Sequence, residues 1–143
     1  MSDKPDLIFE VAGKPRSCRN EWWDSLEGSK PDTEFKCDGC STSPDYWKHI
    51  HLWPACIVHD FHYREAIYGD DAAARQEADR YLYANVVALV AMQGGSTTRA
   101  RALGWLYWGR VRVWGRKAYR AGEGTVKPTR WYHRIAEVWK RRE

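Results

Sequence analysis

The chain has 143 residues, 43% apolar and 29% charged, which is enough for one self-sufficient core and too apolar for a disordered chain. Its longest apolar run, Val86–Met92, is far short of a membrane span, and Met1-Ser2-Asp3-Lys4-Pro5-Asp6 lacks the basic-then-apolar pattern of a secretory leader. The net charge of +4 is uneven: thirteen Lys/Arg against three Asp/Glu give residues 98–143 a charge of +10, and ten against sixteen give residues 1–97 a charge of −6.

In chain order, residues 1–36 read as an irregular N-terminal arm with a short helix at Asn20–Glu27. Residues 37–53 read as loop, with turn signals at Asp38-Gly39 and Ser43-Pro44-Asp45. Pro54 suits the first turn of a helix, Ala55–Tyr68, that stops at Gly69. A second helix is expected over Asp71–Met92, with Leu82, Val86, Leu89 and Val90 at helical spacing. A third is expected over Thr97–Arg120 and a last short one over Arg130–Arg141.

The acidic body suits a bound cation, and the basic third suits either a phosphate-bearing surface or a solvated helix face. Nine tryptophans are more than a domain of this size readily buries. Trp105, Trp108, Trp114, Trp131 and Trp139 are interleaved with Arg99, Arg101, Arg110, Arg112, Arg116, Lys117, Arg120, Arg130 and Arg134. Such rings favour a membrane–water boundary or a protein interface.

The chemistry concentrates in Cys56-Ile57-Val58-His59-Asp60-Phe61-His62-Tyr63. His59 and Asp79 lie about equally far from the turn at Gly69-Asp70, so two antiparallel helices bring them to nearly the same height. A carboxylate beside an imidazole fixes its tautomer and stabilises the imidazolium. Tyr63, one turn after His59, or Tyr83, one turn after Asp79, could steady that carboxylate. Asp60 points about 100° away from His59. It suits a hard cation shared with Asp38 and loop carbonyls near Gly39, where glycine lets the backbone approach. The four cysteines fit two disulfides, Cys40–Cys56 pinning this loop to the helix and Cys18–Cys37 tying down the arm.

Asp38-Gly39-Cys40-Ser41-Thr42-Ser43-Pro44-Asp45 followed by Ala55-Cys56-Ile57-Val58-His59-Asp60-Phe61-His62-Tyr63-Arg64 resembles the bacterial and fungal group of secreted-type phospholipases A2. The resemblance covers roughly residues 35–90. It implies calcium-dependent hydrolysis of the sn-2 ester of glycerophospholipids. His59 is then the general base, Asp79 its orienting partner, and Asp38, Asp60 and the Gly39 carbonyl the calcium ligands. The chain departs from the family's pattern at Val58, His62 and Glu65, and no cysteine follows Cys56.

The fold implied is mainly α: a phospholipase A2-like antiparallel helical hairpin with a calcium loop, followed by C-terminal helices. One domain is expected, made of the arm 1–36, a catalytic core 37–93 and a basic, Trp-rich extension 97–143. The expected partners are a phospholipid membrane surface and, through the extension, other proteins. A secreted, effector-delivered or virion-associated protein is favoured over a cytoplasmic one. Cys37-x-x-Cys40 with Cys56-x-x-His59 also has the spacing of a structural zinc site, which with the basic tail would make a nucleic-acid-binding module. Asp38, Asp60, Tyr63 and Asp79 together weigh for the lipase and against nucleic acid. A non-catalytic structural protein on the same scaffold is the third reading.

Overall fold

The computed structural model describes residues 4–40 and 43–115. From Leu7 the side chains alternate, with Phe9 and Val11 buried and Ile8 exposed. That period of two forms β1 (Leu7–Val11), which pairs antiparallel with β2 (Lys14–Cys18). Ala12 and Gly13 both take positive φ, 53° and 78°, as a two-residue hairpin turn of the I′ kind requires. Cys37 lies alongside Val11 in a parallel bridge, so this hairpin also holds the start of the loop carrying Asp38 and Gly39.

Helix α1 (Asn20–Ser25) places the Trp23 ring 4.7 Å from that of Phe9. A small second hairpin, β3 (Tyr46–Trp47) with β4 (Ile50–His51), leads into α2 (Trp53–Arg64), which has Pro54 in its first turn. Helix α3 (Ala72–Met92) starts where the Asp71 side chain accepts the Ala74 N–H, and α4 (Thr97–Trp114) where Ser96 accepts that of Arg99. Leu82, Val86, Leu89 and Val90 of α3 are buried between neighbouring elements. Gly104 lets α4 approach α3 closely, since a Cβ there would lie 2.9 Å from the Tyr83 ring.

The expectation of a mainly α fold is corrected: two antiparallel β-hairpins accompany four helices among the described residues. The first hairpin occupies the segment read as an irregular arm. The second lies inside the segment read as loop. Both are short, and Ala12-Gly13 is a weak turn signal beside Asn-Gly or Asp-Gly. Helix α2 also ends at Arg64 rather than Tyr68, because Ala66 turns to φ 46°. The expected helix over Arg130–Arg141, and the end of the third helix beyond Gly115, lie outside the described residues.

Candidate active site

Helices α2 and α3 are joined by residues 65–71, and facing residues pair about Gly69: His59 meets Asp79, and Tyr63 meets Arg75. His59 Nε2 lies 2.7 Å from Asp79 Oδ1. The Tyr63 hydroxyl donates to the same oxygen. Tyr83, the other candidate, is turned away, its ring packed on Trp105 and against Gly104. Asp79 is completely buried. Burial would push its carboxyl up, but hydrogen bonds from His59 and Tyr63 and the charge of Arg75 outweigh it and hold Asp79 below the usual carboxylate range.

An ionised Asp79 can only accept, so His59 Nε2 carries a proton, and in the neutral ring Nδ1 is the atom with the lone pair. Nδ1 makes no hydrogen bond among the described residues and is not sealed from solvent. The arrangement can take a proton from water at Nδ1 while the ring is held from behind. Tyr63 touches the carboxylate and is a positioning group; burial and the Asp79 charge raise its hydroxyl well above the ordinary value, keeping it a neutral donor.

Two arginines that the sequence reading did not single out for the site complete this cluster. Arg112 Nη1 donates to Asp79 Oδ2 at 2.8 Å. Arg75 Nε donates to the Tyr63 hydroxyl at 3.4 Å, and its Nη2 donates to the carbonyl oxygens of Val111 and Arg112, both at 2.9 Å. Arg75 was findable, since it sits one helical turn before Asp79 on the same face. The sequence groups Arg112 with the docking cations; the structure corrects this by turning it towards Asp79.

Asp60 is buried with the Cys37 thiol beside it, and among the described residues neither carboxylate oxygen has a partner in good hydrogen-bond geometry. Arg64 Nη2 approaches Oδ2 at 3.1 Å without hydrogen-bond geometry. Burial pushes the Asp60 carboxyl up to about 6 against the opposing pull of Arg64. Asp38 is largely exposed and reaches the same guanidinium at 4.0 Å. Asp38 and Asp60 thus converge on Arg64. Gly39 is held at φ 89°, and a Cβ there would lie 2.8 Å from Asp45 Oδ1, so the turn needs glycine. Asp45, read from the sequence as a turn residue, organises the loop: Oδ1 accepts the Cys40 N–H at 2.8 Å and Oδ2 accepts Arg16 at 2.9 Å.

A buried carboxylate that among the described residues makes an ion pair with Arg64 but accepts no hydrogen bond, beside a glycine-bearing loop, fits a hard, oxygen-seeking cation. Among the described residues no three His, Cys, Asp or Glu side chains cluster for a metal, so carbonyl oxygens and water would have to complete the shell. The zinc arrangement is corrected, because Cys40 and Cys56 form a disulfide and two of its four ligands are consumed. The expected Cys18–Cys37 bond is corrected too: both thiols are free and buried. Cys18 pairs with Leu7 and Cys37 lies beside Val11, at opposite ends of β1. That separation is about 13 Å at the strand rise of about 3.3 Å per residue, beyond the roughly 7 Å a disulfide spans. Burial pushes both thiols up to about 12.

A groove of about 600 Å³ lies elsewhere, between the β3–β4 turn and the start of α4, and shares no residue with the His59 cluster. Arg99 and Lys48 sit over the Trp47 ring at 4.5 and 4.7 Å. Leu106 at its edge and the neighbouring Trp105 are exposed. Comparison with protein-family models, characterised proteins and solved structures finds no match to this chain.

Proposed function

We propose that the protein is a calcium-dependent phospholipase A2-type hydrolase that cleaves the sn-2 ester of glycerophospholipids with water activated by His59. The observation that carries this reading is His59 held through Nε2 by a buried Asp79 that is itself braced by Tyr63, with Nδ1 left to accept a proton. His59 Nδ1 takes the proton of the attacking water, and Asp79 stabilises the imidazolium that results. The same Nδ1–H then protonates the departing glycerol oxygen. Asp60, Asp38 and the Gly39 carbonyl would hold calcium, which when bound supplies positive charge for the substrate phosphate and the developing oxyanion.

The Trp47, Lys48 and Arg99 groove with exposed Leu106 at its edge supports contact with an anionic lipid surface, since cations and amphipathic rings together suit a headgroup layer. The Cys40–Cys56 disulfide supports a secreted, particle-borne or delivered protein, because such bonds persist outside a reducing cytosol. Fatty-acid release from phospholipid vesicles, measured with calcium and with chelator, tests the reading. Release that needs calcium and disappears in His59→Ala supports it. No release in either condition overturns it.

A further inference from the structure

Holding a histidine by one carboxylate oxygen leaves the carboxylate free to turn unless the other oxygen is held as well. Asp79 Oδ2 is held by Arg112 Nη1 at 2.8 Å. Arg75 stands 3.9 Å from that oxygen, near enough to add charge but too far for a hydrogen bond. Its Nη2 is committed instead to the carbonyl oxygens of Val111 and Arg112. The contacts form a closed chain: Arg75 of α3 fixes the last turn of α4, and that turn aims Arg112 back at Asp79 of α3. Gly115 shuts the same corner, where a Cβ would lie 2.7 Å from the Tyr63 hydroxyl.

We propose that Arg112 is a positioning residue for the His59–Asp79 pair, so that the end of the basic helix α4 belongs to the active site. The carboxylate is then clamped on both oxygens: Oδ1 by His59 and Tyr63, Oδ2 by Arg112. Without the guanidinium, Oδ2 has no hydrogen-bond donor among the described residues, and rotation of the carboxylate releases Nε2–H. The imidazole then populates the tautomer protonated at Nδ1, which cannot accept a proton from water. Arginine suits this place because its planar fork keeps its charge and spans from one helix to the next. The kinetic part of this inference rests on the hydrolase reading; the positioning part does not.

The test compares Arg112→Met, Arg112→Lys and Lys14→Met with the parent chain. Lys14 is exposed in the first hairpin, so its variant removes an equal charge away from the site and from the basic helix. On a short-chain phospholipid dispersed below its aggregation threshold, with calcium, Arg112→Met is expected to lose about tenfold or more in kcat with KM within about twofold. Arg112→Lys should recover most of the loss, and Lys14→Met should match the parent. The proton NMR spectrum supplies a readout without substrate: the low-field His59 Nε2–H resonance of the parent should broaden or move in Arg112→Met and persist in Arg112→Lys. Parent-like kcat together with an unchanged resonance in Arg112→Met overturns the proposal. If the parent releases no fatty acid, the hydrolase reading fails and the resonance decides Arg112 alone. If Arg112→Met does not fold, the parent decides: separate, slowly exchanging Nη–H signals for Arg112 support the clamp, and one averaged signal overturns it.

Discussion

Asn85, inside α3, grips both backbone polar groups of Glu27: Oδ1 accepts the Glu27 N–H at 2.6 Å and Nδ2 donates to the Glu27 carbonyl at 3.0 Å. One buried amide replaces a strand partner for the segment that follows α1. This makes the N-terminal arm part of the fold that carries Asp79. Asn85→Leu removes both bonds and leaves two backbone groups poorly satisfied, so it should cost about 2–3 kcal/mol. Urea unfolding monitored by tryptophan fluorescence measures it. An unchanged midpoint would show that the grip contributes nothing.

On the proposed hydrolase mechanism, His59→Ala should cut turnover by about a thousandfold, with the far-ultraviolet circular dichroism of the parent retained. Asp79→Asn should lose less. Tyr63→Phe should lose about tenfold at most, since Oδ1 keeps its bond to His59. Initial rates of fatty-acid release rank the three. A Tyr63→Phe defect larger than that of His59→Ala would contradict the assignment of roles.

The native protein should hide its two free thiols from an aqueous thiol reagent, because Cys18 and Cys37 are buried and burial pushes both up to about 12. Denaturation without reductant should expose two thiols, and with reductant four. Reducing Cys40–Cys56 frees a loop of about sixteen residues and should destabilise the chain by roughly 3 kcal/mol. Four reactive thiols in the absence of reductant would rule the disulfide out.

Stability should fall in mild acid through His62. Burial pushes this imidazole down to about 4 from the ordinary 6.5. Its surroundings are the Ser29 carbonyl, the Tyr68 hydroxyl, the Phe61 and Tyr81 rings, and the charge of His59 when protonated. Between those two values the unfolded chain binds more protons than the folded one. The contribution is therefore complete above about 6.5 and is lost as the pH falls towards 4, on the order of 3 kcal/mol in all. Urea midpoints from pH 7 to 4.5 should decline more steeply for the parent than for His62→Gln. Parallel declines would remove His62 as the cause.

Neutralising Lys48 and Arg99 (Lys48→Met, Arg99→Met) should weaken binding to vesicles containing phosphatidylglycerol by about fivefold per residue, as the loss of roughly 1 kcal/mol per cation implies. The difference should shrink at high salt. Co-sedimentation with chelator present separates binding from hydrolysis. Binding that is equal in parent and double variant moves the docking surface away from this groove.

Much of the helical frame was legible because it is local. Pro54 and Asp71 mark helix starts, and the apolar spacing of Leu82, Val86, Leu89 and Val90 follows the helical period wherever the helix packs. The β-hairpin at Leu7–Cys18 was missed because five-residue strands around an Ala-Gly turn carry little period, and their pairing matters only once Phe9 finds Trp23 and Trp53.

The sequence by itself determined the register of His59 against Asp79 and the reach of Cys40 to Cys56, because a helix rise and a short loop constrain both ends from within one segment. Only the tertiary structure decided which charge answers each buried acid. Arg112 reaches Asp79 from a helix that begins beyond the end of α3, and Arg64 stands between Asp38 and Asp60. It also decided that Cys18 and Cys37 stay apart, at the two ends of one strand. A buried carboxylate must find a counter-charge or hydrogen bonds when it leaves water. Which side chain supplies them depends on where distant elements cross, and that is set by the packing of the whole core.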